Sequence, residues 1–219
     1  MAESTRETER AATRYAVKWI VLSLVILSLL GGGAWFALTT GLERLPKKMC
    51  DGAVERDLAI RALPRTRTAD DSYDQRSGGT EIEYACRVYT SAGSILTGRA
   101  EVNDVSPANW VEHFVGASQH DTVKVSVGGI EAMARLDQES GISYVYVPCV
   151  PRDYRAEDAS EAYAVTTEAS VVGDGRVSGA ALRQVVTDFA YQVAVHTVDL
   201  AQCQGRPPLP GKLPRYAVR

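Results

Sequence analysis

The longest pattern in the chain is a run of uncharged positions near the N-terminus. No residue from 19 to 42 is charged, and residues 19–30 are almost uniformly apolar. As a helix this run would span about 36 Å, which exceeds the roughly 30 Å of a hydrocarbon core. The pattern predicts a transmembrane helix at 19–42, preceded by a cytoplasmic tail at 1–18 and followed by a linker at 43–49.

A cleaved signal peptide is the alternative interpretation of this run. The glycines at 31–33 soften its middle, and small residues follow them. However, a signal peptide has a shorter apolar run, and no good A-x-A cleavage site is present. Because no cysteine lies at the end of the run, a lipid anchor is also disfavoured.

Three segments beyond the linker repeat apolar residues with helical spacing. The first covers residues 52–63, with Asp51 as its N-cap. The second covers residues 106–117 and opens with a Ser-Pro pair that suits a helix start. The third begins at residue 178 and carries a continuous apolar stripe as far as residue 200, so it is the longest helix predicted after the span.

Alternation of apolar and polar residues predicts strands in the same region. The run at 142–147 is apolar on both faces, which indicates a central strand. The polar residues 66–79 are predicted to form a loop, and residues 204–219, with four prolines and no periodicity, a mobile tail. The predicted strands are residues 80–90, 95–102, 122–127, 130–136, 142–147 and 163–172.

The order of these elements is one helix, two strands, one helix, four strands and one long helix. Such an order is typical of an α+β domain in which helices cover a mainly antiparallel sheet. We place this domain at residues 50–203. The pattern does not give the order of the strands within the sheet.

Charge narrows the classes of partner. Beyond Lys48, 17 Lys and Arg oppose 23 Asp and Glu, a net charge of −6. An acidic domain is a poor match for nucleic acid or for an anionic lipid surface as the main partner.

Cysteine usage indicates the side of the membrane on which the domain lies. Charges flank the span almost equally, so the positive-inside rule does not decide. Four cysteines, Cys50, Cys86, Cys149 and Cys203, follow the span, and none precedes it. Because an even set on one side suits an oxidising compartment, we expect an extracellular domain and a cytoplasmic N-terminus.

Four cysteines allow three pairings. We favour Cys50 with Cys86 and Cys149 with Cys203, each of which would contribute about 4 kcal/mol in the chain-entropy model. A zinc site is the alternative, but its ligands usually include closely spaced pairs, and no two cysteines are close here. No metal or cofactor is therefore predicted.

No motif for catalysis stands out. The histidines His113, His120 and His196 show no metal-binding spacing. No G-x-S-x-G motif is present, and bridged cysteines could not act as nucleophiles. The acidic pairs at 70–71 and 157–158 lack the spaced oxygen ligands of a calcium loop. We predict no catalytic residue and expect that the chain is not an enzyme.

Tyrosines and prolines are weak candidates for binding. Six tyrosines on or near predicted strands could line a groove for a cell-wall glycan or peptide, although sheet propensity and core packing explain the same residues. The prolines at 207–210 could form a short polyproline segment for a partner. The tyrosines are Tyr84, Tyr89, Tyr144, Tyr146, Tyr154 and Tyr163.

Several segments together resemble a group of bacterial proteins. They are the predicted span, the opening LPKKMCDGAVERDLAIRALP, the strand with Cys86, the segment YVYVPC that ends at Cys149, and the Ala- and Val-rich helix before Cys203. They resemble actinobacterial, in particular streptomycete, membrane-anchored or lipid-anchored exoproteins of unknown function. The resemblance implies a fold and a place at the cell membrane, and no catalytic residue. The predicted span distinguishes this chain from relatives of this type that have a lipid anchor.

The expected function is therefore binding. A tethered domain without a catalytic constellation indicates an envelope module that binds a protein, a peptide or a glycan outside the cell. One alternative is an enzyme with an unrecognised site. Another is a scaffold subunit that acts through its transmembrane helix, with residues 31–33 as the helix-packing face. The sequence names no ligand-binding residue.

Overall fold

The computed structural model describes residues 18–29, 31–33, 35, 40–78, 81–115, 121–136, 141–205 and 207–217. The chain divides into two compact units, residues 1–40 and 41–219. In the first unit, residues 18–29, 31–33 and 35 are helical and are called α1 here. The large apolar side chains of α1 are between 48% and 70% exposed.

No helix among the described residues is long and apolar enough to cross a membrane. Within the predicted span at 19–42, residues 30, 34 and 36–39 lie outside the described part of the chain. Residues 1–17 of the predicted cytoplasmic tail also lie outside it. Residues 41–42, predicted to end the span, and residues 43–49, predicted to be a linker, instead belong to the second unit, where Leu42, Leu45 and Met49 are buried.

The second unit combines two sheets with three α-helices among the residues described. Its elements are the strands β1 (Lys48–Met49) and β2 (Val54–Glu55), α2 (Arg56–Ala62), β3 (Ala69–Gly78), β4 (Glu81–Thr90), β5 (Ile95–Asp104), α3 (Pro107–Val115), β6 (Thr122–Val127), β7 (Ile130–Arg135), β8 (Ser143–Pro148), β9 (Tyr163–Val172) and α4 (Gly179–Leu200), with 3-10 turns at Leu42–Arg44 and Ala156–Asp158. β1 and β2 form a short hairpin. The other strands form one antiparallel sheet in the order β3-β4-β5-β9-β8-β7-β6, which confirms the predicted α+β class.

Two three-stranded meanders make up the large sheet. β3, β4 and β5 form one, β6, β7 and β8 form the other, and β9 lies between β5 and β8. β8 is buried on both faces, as the apolar run at 142–147 predicts for a strand inside a sheet. The meanders are thus joined by the last strand of the chain, a long-range pairing for which no local pattern gives a signal.

The predicted loop at 66–79 is wrong, because Ala69–Gly78 pairs with β4 along its whole length. β3 is an edge strand, and residues 72–76 are exposed on both of its faces. A strand of this kind shows no apolar alternation, and polar or charged residues on it protect a free edge from pairing with other chains.

The predicted helix at 52–63 begins at Arg56 instead, and Asp51 does not cap it. Cys50 and Asp51 adopt left-handed backbone, with φ of 53° and 57°, in the turn between β1 and β2. That hairpin occupies the residues that were expected to form the first turn of the helix. The residue before α2 is Glu55, whose side chain makes no capping bond.

α4 lies across one face of the large sheet and closes the main core. A close approach is possible because β5 has a glycine at the contact: a Cβ on Gly98 would lie 2.8 Å from Phe189 Cε1. Phe189 and Val193 are fully buried there. On the opposite face, Trp110 of α3 packs on Tyr146 in a second, smaller cluster.

Both favoured disulfides are present. Cys50 is bonded to Cys86 and Cys149 to Cys203, with Cα–Cα distances of 5.6 and 5.1 Å. The first joins the β1–β2 turn to β4, and the second joins the end of β8 to the segment after α4.

The C-terminal tail, residues 207–217, lies against α4. The Tyr191 hydroxyl donates a hydrogen bond to the carbonyl oxygen of Pro210 at 2.7 Å, and Leu213 is 6% exposed. Further along, the backbone N–H of Tyr216 donates to Gln184 Oε1 at 3.2 Å. These contacts attach a segment whose composition predicts mobility, and no periodicity in the sequence points to them.

Candidate functional site

The tyrosines singled out in the sequence do not line one groove. Tyr144 and Tyr146 are buried beneath α3, where burial raises the pKa of Tyr146 to about 12. Tyr154 and Tyr163 face each other with a ring-centroid distance of 5.0 Å. Tyr89 is exposed on the face of the sheet opposite α4, which is called the open face here. Packing therefore accounts for most of these residues.

The histidines do not form a site either. His196 lies on the core side of α4, with its ring 4.6 Å from the Tyr84 ring, and burial lowers its pKa. His113 is exposed on α3, and His120 lies outside the described residues. The described residues contain no group of three or more His, Cys, Asp or Glu that could hold a metal ion.

The acidic pairs have structural or surface positions. Asp71 Oδ2 accepts a hydrogen bond from the backbone N–H of Cys50 at 2.5 Å, which fastens the β1–β2 turn to β3. Glu157 is solvent-exposed and lies 3.8 Å from Arg155. Neither pair forms a calcium loop.

A cavity of about 590 Å³ lies where α2, the first turns of α4, the β6–β7 edge of the sheet and the tail meet. Four arginines line it: Arg61 at the end of α2, Arg176 before α4, Arg183 on α4 and Arg215 on the tail. We call it the arginine cavity. The rest of its lining is mainly apolar and comprises Ile60, Val123, Leu136, Val177, Ala180, Ala181, Val185 and Ala217, with Gln184 and Tyr216.

The positive charge of this cavity is only partly compensated. Arg61 lies 3.6 Å from Asp188, and the Arg176 guanidinium donates to the uncharged carbonyl oxygen of Ile60 at 2.9 Å. Among the described residues, neither Arg183 nor Arg215 forms an ion pair, and no Asp or Glu lines the cavity. A guanidinium stays protonated at any physiological pH, so the cavity carries a fixed positive charge.

Tyr216 does not offset that charge. Its hydroxyl lies 3.0 Å from Thr187 Oγ1, and Thr187 in turn donates to Ser143 Oγ at 2.9 Å. Burial raises the pKa of the Tyr216 phenol well above its ordinary value, although the nearby Arg183 opposes the shift. The phenol therefore remains neutral and closes one side of the cavity as an uncharged wall.

A second cavity adjoins the first, and its charges are mixed. It measures about 410 Å³ and shares Ile60, Arg61 and Arg215 with the arginine cavity. Its lining also includes three carboxylates, from Glu55, Asp57 and Asp188. The excess of positive charge therefore belongs to the arginine cavity rather than to this whole side of the domain.

The open face of the sheet contains a third concavity, of about 400 Å³, beside Trp110 and Phe114. Its arginine is already paired: Arg99 Nε lies 3.0 Å from Glu83, and its Nη2 lies 3.6 Å from Glu101. Its described lining contains one arginine and two glutamates, Glu101 and Glu168, so it has no excess of positive charge. It is a weaker candidate for a ligand than the arginine cavity.

Comparison of the chain with protein-family models, with curated proteins and with solved structures finds no match. The function must therefore be argued from the geometry of the domain.

Sequence reasoning did not find the arginine cavity. Its four arginines come from α2, the β9–α4 connection, α4 and the tail, and 154 positions separate Arg61 from Arg215. Arg176 and Arg183 are only seven positions apart, but Arg176 precedes α4 and their spacing in the sequence gives no signal of a cavity. The signal exists only after the chain has folded.

Proposed function

We propose that this chain is a membrane-tethered, non-catalytic binding domain of the cell envelope, and that the arginine cavity is its ligand site. The observation that carries the proposal is that four arginines, and no carboxylate among the described residues, line one partly open and mainly apolar cavity. Ligand sites are typically concave, apolar and equipped with a few convergent polar groups, and their volumes are roughly 300–1,000 Å³.

The groups in the cavity support binding rather than catalysis. The described lining contains no Ser, Cys, His, Asp or Glu that could serve as a nucleophile or a general base. Guanidinium groups lose protons too reluctantly for acid–base work, whereas they are suited to holding an anion. The side chains present can therefore attract and orient a ligand.

The exposed apolar surface of α1 supports the membrane tether. Its large side chains, including Trp19 and Leu29, are exposed in the chain on its own, a state that is unfavourable in water. The two disulfides of the second unit suit an oxidising compartment. We propose that the apolar segment from residue 19 to residue 40 crosses the membrane and that the second unit, residues 41–219, lies outside the cell. The full-length chain should resist alkaline extraction from membranes; release into the soluble fraction would refute the tether.

The ligand site is tested by native mass spectrometry of the full-length chain purified from membranes of its native cells. We expect a bound small molecule that is lost when Ala180→Trp fills the cavity. Ala108→Trp is the matched control, because Ala108 and Ala180 are both exposed alanines in the first turn of a helix, and only Ala180 lines the cavity. Absence of a bound molecule in the wild-type protein, or equal retention by both variants, would count against the site.

A further inference from the structure

We infer that the ligand of the arginine cavity is a small amphipathic anion, whose carboxylate or phosphate head contacts the guanidinium groups and whose hydrocarbon body lies on the apolar wall. This inference rests on the proposed function and names the chemical class that the site would select. It is argued from the charge, the wall and the shape of the cavity.

The charge requires an anion. Arg176, Arg183 and Arg215 bring three fixed positive charges to one partly enclosed space, and no ion pair to any of them is seen among the described residues. Like charges that share a site repel one another, and the repulsion is stronger where water is partly excluded. A bound anion would remove this repulsion and add charge-assisted hydrogen bonds, which are roughly twice as strong as neutral ones.

The identity of the cations limits which head groups the anion can have. Arginine presents a planar fork of donors that matches the paired oxygens of a carboxylate or a phosphate. Every cation in the described lining of the cavity is an arginine. A head group with two or more oxygens on one centre therefore fits better than a halide or a single alkoxide.

The wall requires an apolar body. Val123 of β6, Leu136 after β7 and Val177 before α4 line the space, together with the small side chains of Ala180 and Ala181. A neutral glycan would place hydroxyl groups against this wall and would leave the guanidinium groups without a partner, at a cost in desolvation. A hydrocarbon chain gains roughly 0.8 kcal/mol for each CH₂ group that it buries.

The shape favours a small molecule over a protein partner. The cavity is enclosed on one side by the tail, where Tyr216 is bonded to α4 through both its backbone and its hydroxyl. A folded partner would contact mainly the rim, whereas a single chain with one head group could enter. The acidic character of the rest of the domain disfavours a broad anionic surface as the occupant, because such a surface would meet net negative charge outside the cavity.

The test uses the full-length chain in nanodiscs of neutral phosphatidylcholine, titrated by calorimetry with four probes that share one chain. The probes are dodecanoate, dodecyl phosphate, dodecanol and dodecyltrimethylammonium, and empty nanodiscs supply the background of partitioning. We expect saturable binding of one or both anions, weakened by salt, and none of the alcohol or the cation. Comparison of dodecanoate with dodecyl phosphate then distinguishes a carboxylate head from a phosphate head.

Two double variants locate the binding. Arg183→Gln with Arg215→Gln should raise the Kd of the anions at least tenfold. Arg65→Gln with Arg67→Gln makes the same change of net charge at exposed positions outside the cavity and should leave the Kd unchanged. An equal loss in both pairs would show a general charge effect and would overturn the inference.

The outcomes separate this inference from the proposed function. Saturable binding of dodecanol with the same affinity as the anions, lost in Ala180→Trp, would overturn the anion class and leave the cavity as a ligand site. A neutral molecule found by native mass spectrometry would do the same. Failure of all four probes, together with no bound molecule in the native protein, would overturn both.

Discussion

The two ends of α4 lie in opposite environments. At its C-terminal end the helix is closed in by the sheet: Val198 and Ala201 are buried, and Cys203 is bonded to Cys149. At its N-terminal end Ala180 is exposed and Arg183 lines a cavity that the domain leaves unfilled. Under the proposed function, one helix would be divided between two tasks, with stability concentrated at its C-terminal end and binding at its N-terminal end.

The strongest test of this division removes the disulfide at the C-terminal end. Replacing both Cys149 and Cys203 by Ala should lower the free energy of unfolding by about 4 kcal/mol, because the bond closes a loop with a sequence separation of 54. Urea denaturation measures the change. Anion binding by the remaining folded protein should persist, since neither cysteine lines the cavity; its disappearance from protein that is still folded would break the division.

Replacing Gly98 by Ala should have the next largest effect. The new Cβ would meet Phe189 Cε1 at 2.8 Å and push α4 away from the sheet, so we expect a loss of about 1–3 kcal/mol. Gly211→Ala is the control, because a Cβ there would meet nothing within 4 Å. Equal stability of Gly98→Ala and the wild type would show that α4 is packed less tightly than the structure indicates.

Acid should lower the stability of the domain through His196, which lies near the C-terminal end of α4. Its pKa is lowered by burial, although Asp51 and Asp199 partly oppose the shift. Because the unfolded chain then binds a proton more readily than the native one, the stability that neutral His196 contributes is complete above its unfolded pKa of roughly 6.5 and falls as the pH decreases below that value. His196→Phe keeps a ring beside Tyr84 and removes the titration.

The measurement is the free energy of unfolding from pH 8 to pH 5. The wild type should lose more stability than His196→Phe over this range. Parallel curves would show that other groups cause the acid sensitivity of the domain.

The smallest effect on stability is expected from a substitution near the N-terminal end of α4. Arg183→Gln removes one of several neighbouring positive charges, so the free energy of unfolding should change by no more than about 0.5 kcal/mol. The same change should weaken anion binding, which thermal unfolding with and without dodecanoate can measure. A large loss of stability without ligand would instead give Arg183 a structural role.

Much of the fold follows from the sequence, because its strongest signals are local. The alternation at Glu81–Thr90 and Tyr163–Val172 predicts strands, and the apolar stripe of Gly179–Leu200 predicts the long helix, within a few residues of the observed bounds. The strand β3 was predicted to be a loop because both of its faces are exposed and carry no apolar pattern. Asp51 fails as a helix cap because a hairpin, formed by pairing with residues beyond it, takes up that part of the chain.

The sequence by itself determined the fold class and the positions of most elements, since each depends on periodicity or on residue type, and it only favoured one of three possible cysteine pairings. Only the tertiary structure decided the strand order and the arginine cavity. Both require residues that are distant in the chain to meet: β9 joins the two meanders, and Arg61 and Arg215 line the same cavity. Local periodicity reports which face of an element is buried, but it contains no information about which other element lies against that face.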